Sequence, residues 1–269
     1  MDYQIFKPNA NLAPFIKCYW TLDHPKEDVP QVQTIVPDGC MEMIFHYRDL
    51  YQQYIDEKTV VQPRSCVFGQ LTKPLKIKPT GVTGIFSVRF HHDGFIPFAT
   101  LPIKEMDDRA VCLKELYGNE GTELEKNIIS TQTVKEKIDL VEAFLLKKLN
   151  TETIDRIVKT TLDLLLHVNG QISVNELSTQ TNINRRQLER KFSSTIGLSP
   201  KQLAKTIRLQ TTLKHLLHKE YINLTTLAHD SEYYDQAHFI KDFKEFTGLT
   251  PKEFYGENLQ MSSLFYGSE

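Results

Sequence analysis

Two hydrophobic periods divide this chain. Up to about residue 120, apolar positions alternate with polar ones or gather in short runs between Pro and Gly, the pattern of strands and turns. The segment QTIVPDGCMEMIFHY is the clearest case. Strand-like runs over residues 32–36 and 41–47 flank Pro37, Asp38 and Gly39. Pro presets φ and Gly supplies φ > 0, so the segment predicts a hairpin. Residues 16–22, 65–70, 75–78 and 85–90 predict further short strands. From about residue 121 the period lengthens toward 3.6. Val134, Ile138, Val141, Leu145 and Leu149 form one apolar stripe at helical spacing. Residues 150–153, NTET, read as a junction, and a further helix runs toward Gly170, a C′ glycine.

The predicted fold class is therefore α+β. An N-terminal β-barrel or sandwich with flanking helices occupies residues 1–150, and an all-α domain occupies residues 151–269.

A weak repeat organises that second part. ISVNELSTQTNINRRQLERKFSSTIGLSPKQL begins at Ile172, and INLTTLAHDSEYYDQAHFIKDFKEFTGLTPKEF begins at Ile222. Phe192 matches Phe243, Gly197-Leu198 matches Gly248-Leu249, and Ser199-Pro200 matches Thr250-Pro251. Each copy carries helix punctuation. Ser173 and Glu176 have the spacing of a capping box, and Asn184 is a good N-cap with Gln187 three residues on. Leu188 and Phe192 share a face, Gly197 ends the helix, and Pro200 opens the next at its favoured first position. Helix, tight turn, helix with an apolar seam is the helix-turn-helix pattern, although a plain helical bundle has the same spacing.

Charge separates the two copies. The whole chain has a formal net charge of −2, which says nothing about partners. Between Asn184 and Lys219 there are nine basic residues and one acid, a bias that favours a phosphate-bearing partner over a merely solvated face. From Glu220 to Glu269 there are three basic residues and nine acids.

The paired motifs, the intervening helix around Ile207-Arg208-Leu209, the GLSP and GLTP ends and the run YYDQAHFIKDFKEFTGLTPKEF resemble the DNA-binding domain of AraC/XylS-type bacterial transcription regulators. The resemblance covers about residues 155–258. It implies helix-turn-helix units at about 173–195 and 224–247, each placing a recognition helix in the major groove of double-stranded DNA. On the first, Arg186, Glu189 and Arg190 point outward. Arg forks to guanine and Glu accepts from cytosine. Asn184 caps this helix, and Arg185 is placed for phosphate. On the second, Gln236, His238 and Lys241 face outward, while Phe239 and Phe243 face the core. The family carries glycine where Glu232 stands, and Asn182 fills the equivalent place in the first unit. The resemblance also implies a bacterial, cytoplasmic regulator, an activator in the usual case, with RNA polymerase as a further partner. The acidic second unit is expected to grip DNA less firmly, tuning affinity or meeting polymerase.

The first half more weakly resembles the cupin-like N-terminal domains of such regulators, through CYW at 18–20, PDGCMEMIF at 37–45, FGQ at 68–70 and SVRF at 87–90. Such domains hold a small-molecule effector or dimerise. Trp20, Glu42 and Arg89 are the candidate ligand-binding residues, each with a plain alternative: a core tryptophan, and a solvated or mutually paired Glu and Arg. His46, His91 and His92 are the candidate metal ligands for a cupin enzyme. The HxH spacing that places two ligands on one face is absent, and His91 and His92 point to opposite faces if they lie on a strand. No metal, no cofactor and no catalytic residue is expected. The four cysteines, Cys18, Cys40, Cys66 and Cys112, are scattered without a CxxC pair and read as reduced thiols. No run is long enough for a membrane span, and the N-terminus lacks a signal peptide. The readings are thus a ligand-controlled regulator; a regulator whose first half only dimerises; and an enzyme, metal cupin or alkyl-accepting cysteine protein, fused to a DNA-binding domain.

Overall fold

The computed structural model describes residues 2–55, 58–217 and 236–256. Ten strands build two antiparallel sheets. The larger has six strands: β1 (Asp2–Phe6), β2 (Ile16–His24), β9 (Thr83–Phe90), β4 (Glu42–His46), β7 (Ser65–Phe68) and β10 (Ala110–Cys112), in that spatial order. The smaller has four: β3 (Gln33–Ile35), β8 (Leu75–Pro79), β5 (Tyr51–Ile55) and β6 (Lys58–Val61). Among the described residues no ladder joins the sheets into a closed barrel, so the architecture is a sandwich.

The predicted hairpin at Pro37-Asp38-Gly39 does not form. β3 pairs with β8 in the small sheet, whereas β4 pairs with β7 and β9 in the large one. The bend is where expected, with Gly39 at φ +77°, but the chain crosses from one sheet to the other there. Turn chemistry dictates a change of direction, not a partner. β1, β5, β6 and β10 are additional to the strands read from the sequence.

The period-2 alternation of strands explains the two apolar layers. On the central strands, Met43, Phe45, Phe86, Val88 and Phe90 face one side of the large sheet. There they pack with Leu124, Ile128, Val141 and Leu145 of helices α1 (Leu113–Ser130) and α2 (Val134–Lys148). Trp20, Leu22 and Ile85 face the other side and meet Tyr51 and Ile77 of the small sheet. The large sheet is covered on both faces, which is why all eight residues of β9 are buried. α1 begins earlier than the period suggests and kinks at Gly118, φ +59°. The α2 stripe packs on the sheet. Thr133 and Glu136 form a capping box at its start, each side chain accepting from the other residue's backbone N–H.

The helical half follows: α3 (Arg156–His167), α4 (Val174–Thr181), α5 (Arg185–Ile196), α6 (Pro200–Leu217), α7 (Gln236–Thr247) and α8 (Pro251–Gly256). Its local signals act as read. Ser173 and Glu176 make the capping box, Asn184 Oδ1 accepts from Gln187 N at 2.9 Å, and Thr250 and Glu253 cap α8 reciprocally. Asn182 takes the left-handed conformation, φ +54°, that tightens the turn between α4 and α5. Leu177, Leu188, Phe192, Ile196 and Leu203 fill one core with α3, and Leu209, Leu213, Phe239, Phe243 and Phe254 fill a second around α7. α6 contributes to both. The turn expected in the second unit, with Glu232, and the helix expected before it fall outside the described residues. So do the side chains of His238 and Lys252.

Candidate functional site

Helix α5 presents the first candidate surface. Leu188 and Phe192 anchor its inner face, leaving Asn184, Arg185, Arg186 and Arg190 exposed at its N-terminal end. Arg185 Nε donates to Glu189 Oε1 at 3.0 Å, an i,i+4 pair, and Lys191 Nζ bonds Asp155 Oδ2 at 2.5 Å. These pairs engage Arg185, Glu189 and Lys191 within the protein. Arg186 and Arg190 lie one turn apart and form no ion pair among the described residues. Two guanidiniums on an exposed helix face have the chemistry to fork to guanine or meet phosphate.

On α7, Gln236 and Lys241 are exposed and Phe239 and Phe243 are fully buried. The acids of this helix have a structural use. Lys205 of α6 bonds Asp242 Oδ1 at 3.0 Å and Glu245 Oε2 at 2.9 Å, and its ammonium lies 5.2 Å from the centre of the Phe246 ring. Part of the local acidity therefore fastens α7 to α6, which the net charge alone does not reveal.

The second candidate site is a cavity of about 80 Å³ between the two sheets. Trp20, Glu42 and Arg89 all line it, although they come from three strands. Glu42 and Arg89 are register partners on β4 and β9, and Arg89 Nη1 donates to Glu42 Oε1 at 2.8 Å. Arg89 Nη2 also pairs with Asp38, in the crossing between the sheets. The paired alternative for Glu42 and Arg89 thus holds, yet it holds inside a cavity. Burial pushes the Glu42 carboxyl up from its usual range, opposed by the Arg89 charge. Asp38, which the sequence offers only as a turn residue, completes the cluster.

His46 sits four residues along β4 from Glu42, facing the same cavity, and is 1% exposed. Neither ring nitrogen meets a partner in hydrogen-bond geometry; Gln62 is the polar side chain acting on it, and Gln62 Nε2 donates to Gln53 Oε1 at 3.3 Å. Burial, then the Arg64 charge, lowers the His46 pKa to about 4, so the ring is neutral at pH 7. No group of three metal-ligating side chains occurs among the described residues. His91 and His92 lie beyond the end of β9, not on it, so the opposite-face argument does not apply to them.

The turn segment beside the cavity touches the helical half. Gln210 of α6 donates from Nε2 to Pro37 O at 2.5 Å, Gln70 Nε2 donates to Gly39 O at 3.1 Å, and a Cβ on Gly39 would stand 2.7 Å from Leu203 Cδ1. The segment carrying Asp38 is therefore pressed between the cavity and α6. A second contact joins the C-terminal end of α5 to the 3-10 turn Ile103–Met106, where a Cβ on Gly197 would come within 2.7 Å of Asp107 Oδ1.

Asp107 is set against that helix end, where the backbone carbonyls concentrate partial negative charge. Its Oδ1 is buried without a hydrogen-bond partner. Burial, reinforced by Asp108 and opposed by Lys104, raises its pKa to about 6. The folded state therefore favours the protonated acid. This contribution is fully present below the ordinary carboxylate range and is lost as pH rises through about 6. Discounted for partial exposure, the loss is about 1 kcal/mol. Asp107→Asn is expected to raise the melting temperature at pH 7 by a few degrees and to leave it unchanged near pH 4. A thermal melt series from pH 4 to 8 checks this, and equal effects at both ends would refute it.

Comparison with known proteins finds two family matches in separate parts of the chain. Residues 177–256 match a helix-turn-helix domain family, and residues 4–112 match a domain family of unknown function (DUF6597). An uncharacterized HTH-type transcriptional regulator of Staphylococcus aureus strain MSSA476 is 27% identical over 92 residues, which is 34% of this chain but only 12% of that protein. Its counterpart in strain MRSA252 matches equally. Among solved structures, ToxT from Vibrio cholerae superposes over 94% of this chain and 98% of its own with a TM-score of 0.50 at 11% identity, a likeness of fold.

Proposed function

We propose that this chain, carrying an AraC-type helix-turn-helix domain at its C-terminus, is a sequence-specific transcription regulator controlled through its N-terminal half. The observation that carries the reading is the exposed, unpaired Arg186–Arg190 face of α5, held from behind by Leu188 and Phe192. We place the boundary at residues 150/151. The first unit supplies most of the affinity for double-stranded DNA. The second, with Gln236, His238 and Lys241, adjusts it or meets RNA polymerase, a role that fits its acidity. Ligand control is favoured over a first half that only dimerises because Asp38, on the wall of a cavity with a buried ion cluster, follows Pro37, whose carbonyl accepts from Gln210 of α6. Such control requires the ligand to bind one arrangement of the two halves more tightly than another. Among the described residues no helix is long and apolar enough to cross a membrane, and a chromosomal partner implies a cytoplasmic location.

Selection of bound sequences from a random duplex library tests DNA recognition and yields the half-site spacing. No preferred sequence, with salt-insensitive binding, would sink the proposal. On the selected site, Arg186→Ala and Arg190→Ala are each expected to weaken binding by about 1–3 kcal/mol in a gel-shift titration, and Lys241→Ala by less. A larger effect at Lys241 would reverse the ranking of the two units.

A further inference from the structure

We infer that Cys66 and Cys112 are a redox pair, two thiols that a hydroperoxide closes into a disulfide across strands β7 and β10. Any effect of the bridge on DNA rests on the regulatory reading above; the chemistry of the pair does not.

The register brings the two together from distant parts of the chain. Cys112 on β10 stands directly opposite Cys66 on β7. Opposed residues of an antiparallel ladder alternate between hydrogen-bonded pairs and closer, non-hydrogen-bonded ones. Gly69 N donates to Arg109 O at 3.0 Å, which puts that pair in the hydrogen-bonded phase. Along the ladder Val67 and Val111 are the next such pair, so Cys66 and Cys112 fall in the close class. Cα atoms there lie about 4.5 Å apart, inside the span of about 4.4–6.8 Å that a disulfide bridges. The two side chains also share a face. Val67 and Val111 belong to the core beneath the helices, so by the period of two both cysteines point to the other side of the sheet. The remaining thiols are placed differently. Cys18 stands opposite Arg89, and Cys40 lies in the crossing between the sheets, outside the strands.

Access gives each sulfur its role. Cys66 is fully buried, and burial, then Cys112 and Glu125, pushes its thiol up. Cys112 is half-buried on an edge strand. Cys112 is therefore the sulfur that meets the oxidant. It attacks one peroxide oxygen: the S–O bond forms, the O–O bond breaks, and the thiol proton leaves with the displaced oxygen as water. Cys66 then attacks the sulfenic sulfur: the S–S bond forms, the S–O bond breaks, and the departing hydroxide takes the Cys66 proton as a second water. Two thiols give up two electrons, and one hydrogen peroxide accepts them.

The pair stands where the sandwich supports the first helix-turn-helix unit. β10 follows the 3-10 turn Ile103–Met106, which rests on the C-terminal end of α5. Just past β7, Gln70 O accepts from Asp108 N at 2.9 Å, so the same two segments hold that turn. Cys112 is also the N-cap of α1. A bridge ties down the strand that carries the support of α5.

The test treats the full chain with hydrogen peroxide and counts free thiols after denaturation. The four thiols are expected to fall to two, with the intact mass lower by two hydrogen atoms and peptide mapping joining Cys66 to Cys112. Dithiothreitol restores all four. Cys18→Ser with Cys40→Ser is expected to keep the reaction, and Cys112→Ser to abolish it. Cys66→Ser is expected to leave a sulfenic acid on Cys112 that dimedone captures. Should Cys66→Ser not fold, peptide mapping of the unmodified chain still decides it. Cys66 and Cys112 staying free while peroxide oxidises the methionines, or a bridge that maps to another pair, overturns the inference. Gel shifts on the selected site then compare the oxidised and reduced chain, and the affinity is expected to differ by about five-fold or more. A bridge with equal affinities would refute the coupling to α5 alone. A bridge in a chain with no preferred DNA sequence would refute the regulatory reading alone. Preferred DNA with no bridge would refute the redox pair alone.

Discussion

Arg89→Ala is expected to destabilise the chain by about 3–5 kcal/mol, because it strips the guanidinium from between two largely buried carboxylates. The cost comes less from the lost attraction than from the charge left behind. Two controls separate these. In the Arg89→Ala background, Glu42→Gln should recover part of the loss, since it removes one of the orphaned charges. The deficit should also shrink on acidification, because Glu42, already pushed up by burial, loses the Arg89 charge that opposes its protonation. Urea denaturation of the four-member cycle at pH 7 and pH 5 measures both effects. A deficit that is independent of pH and unaffected by Glu42→Gln would show that Arg89 matters through packing alone.

The second large effect is expected at Phe192. Its ring is fully buried between α3, α4 and α6, in the core that also holds Leu177, Leu188 and Ile196. Phe192→Ala removes that ring from a close-packed site and should cost about 3–5 kcal/mol. DNA binding should fall with it, but for a different reason from Arg186→Ala. The surface variant keeps its melting temperature and loses affinity, whereas the core variant loses both, and lowering the temperature restores part of its binding. Calorimetry beside a gel shift at 10 °C and 30 °C distinguishes the two. An unchanged melting temperature in Phe192→Ala would mean that the helix-turn-helix core does not depend on this ring.

Much of the helical half is legible in the sequence because its signals are local. Ser173 with Glu176, Asn184 with Gln187 and Thr250 with Glu253 each satisfy helix-end donors a few residues away, so chemistry and spacing alone fix them. The Arg185–Glu189 pair is equally local, and the i,i+4 rule applied to it shows that neither residue stands free on the outer face of α5. The β half is legible as strands but not as sheets. Residues 32–47 announce two strands and a bend, and nothing within them says that β3 and β4 choose different sheets. That choice depends on β7, β8 and β9, residues far along the chain.

The cavity is half legible. A charged residue inside an apolar strand, as at Glu42 and Arg89, is a signal that the sequence displays. That both meet Asp38 and share a wall with His46 is a fact of packing, and the sequence offers His46 only as a candidate metal ligand. The turn around Glu232, expected from the resemblance to carry glycine, lies outside the described residues.

Val36 has a consequence for portability. It follows β3 in the chain yet belongs to the core completed by Leu209, Leu213, Phe239, Phe246 and Phe254. The two halves therefore do not part cleanly at residue 150. A helical half grafted onto another sensor inherits a gap where this valine stood, and a donor sensor must supply an apolar side chain at that point before the graft can be as well packed as the parent. Exchange between such proteins is constrained less by the linker that joins the halves than by the contacts across the seam, Val36 in this core and the Pro37–Gly39 turn on α6 among them.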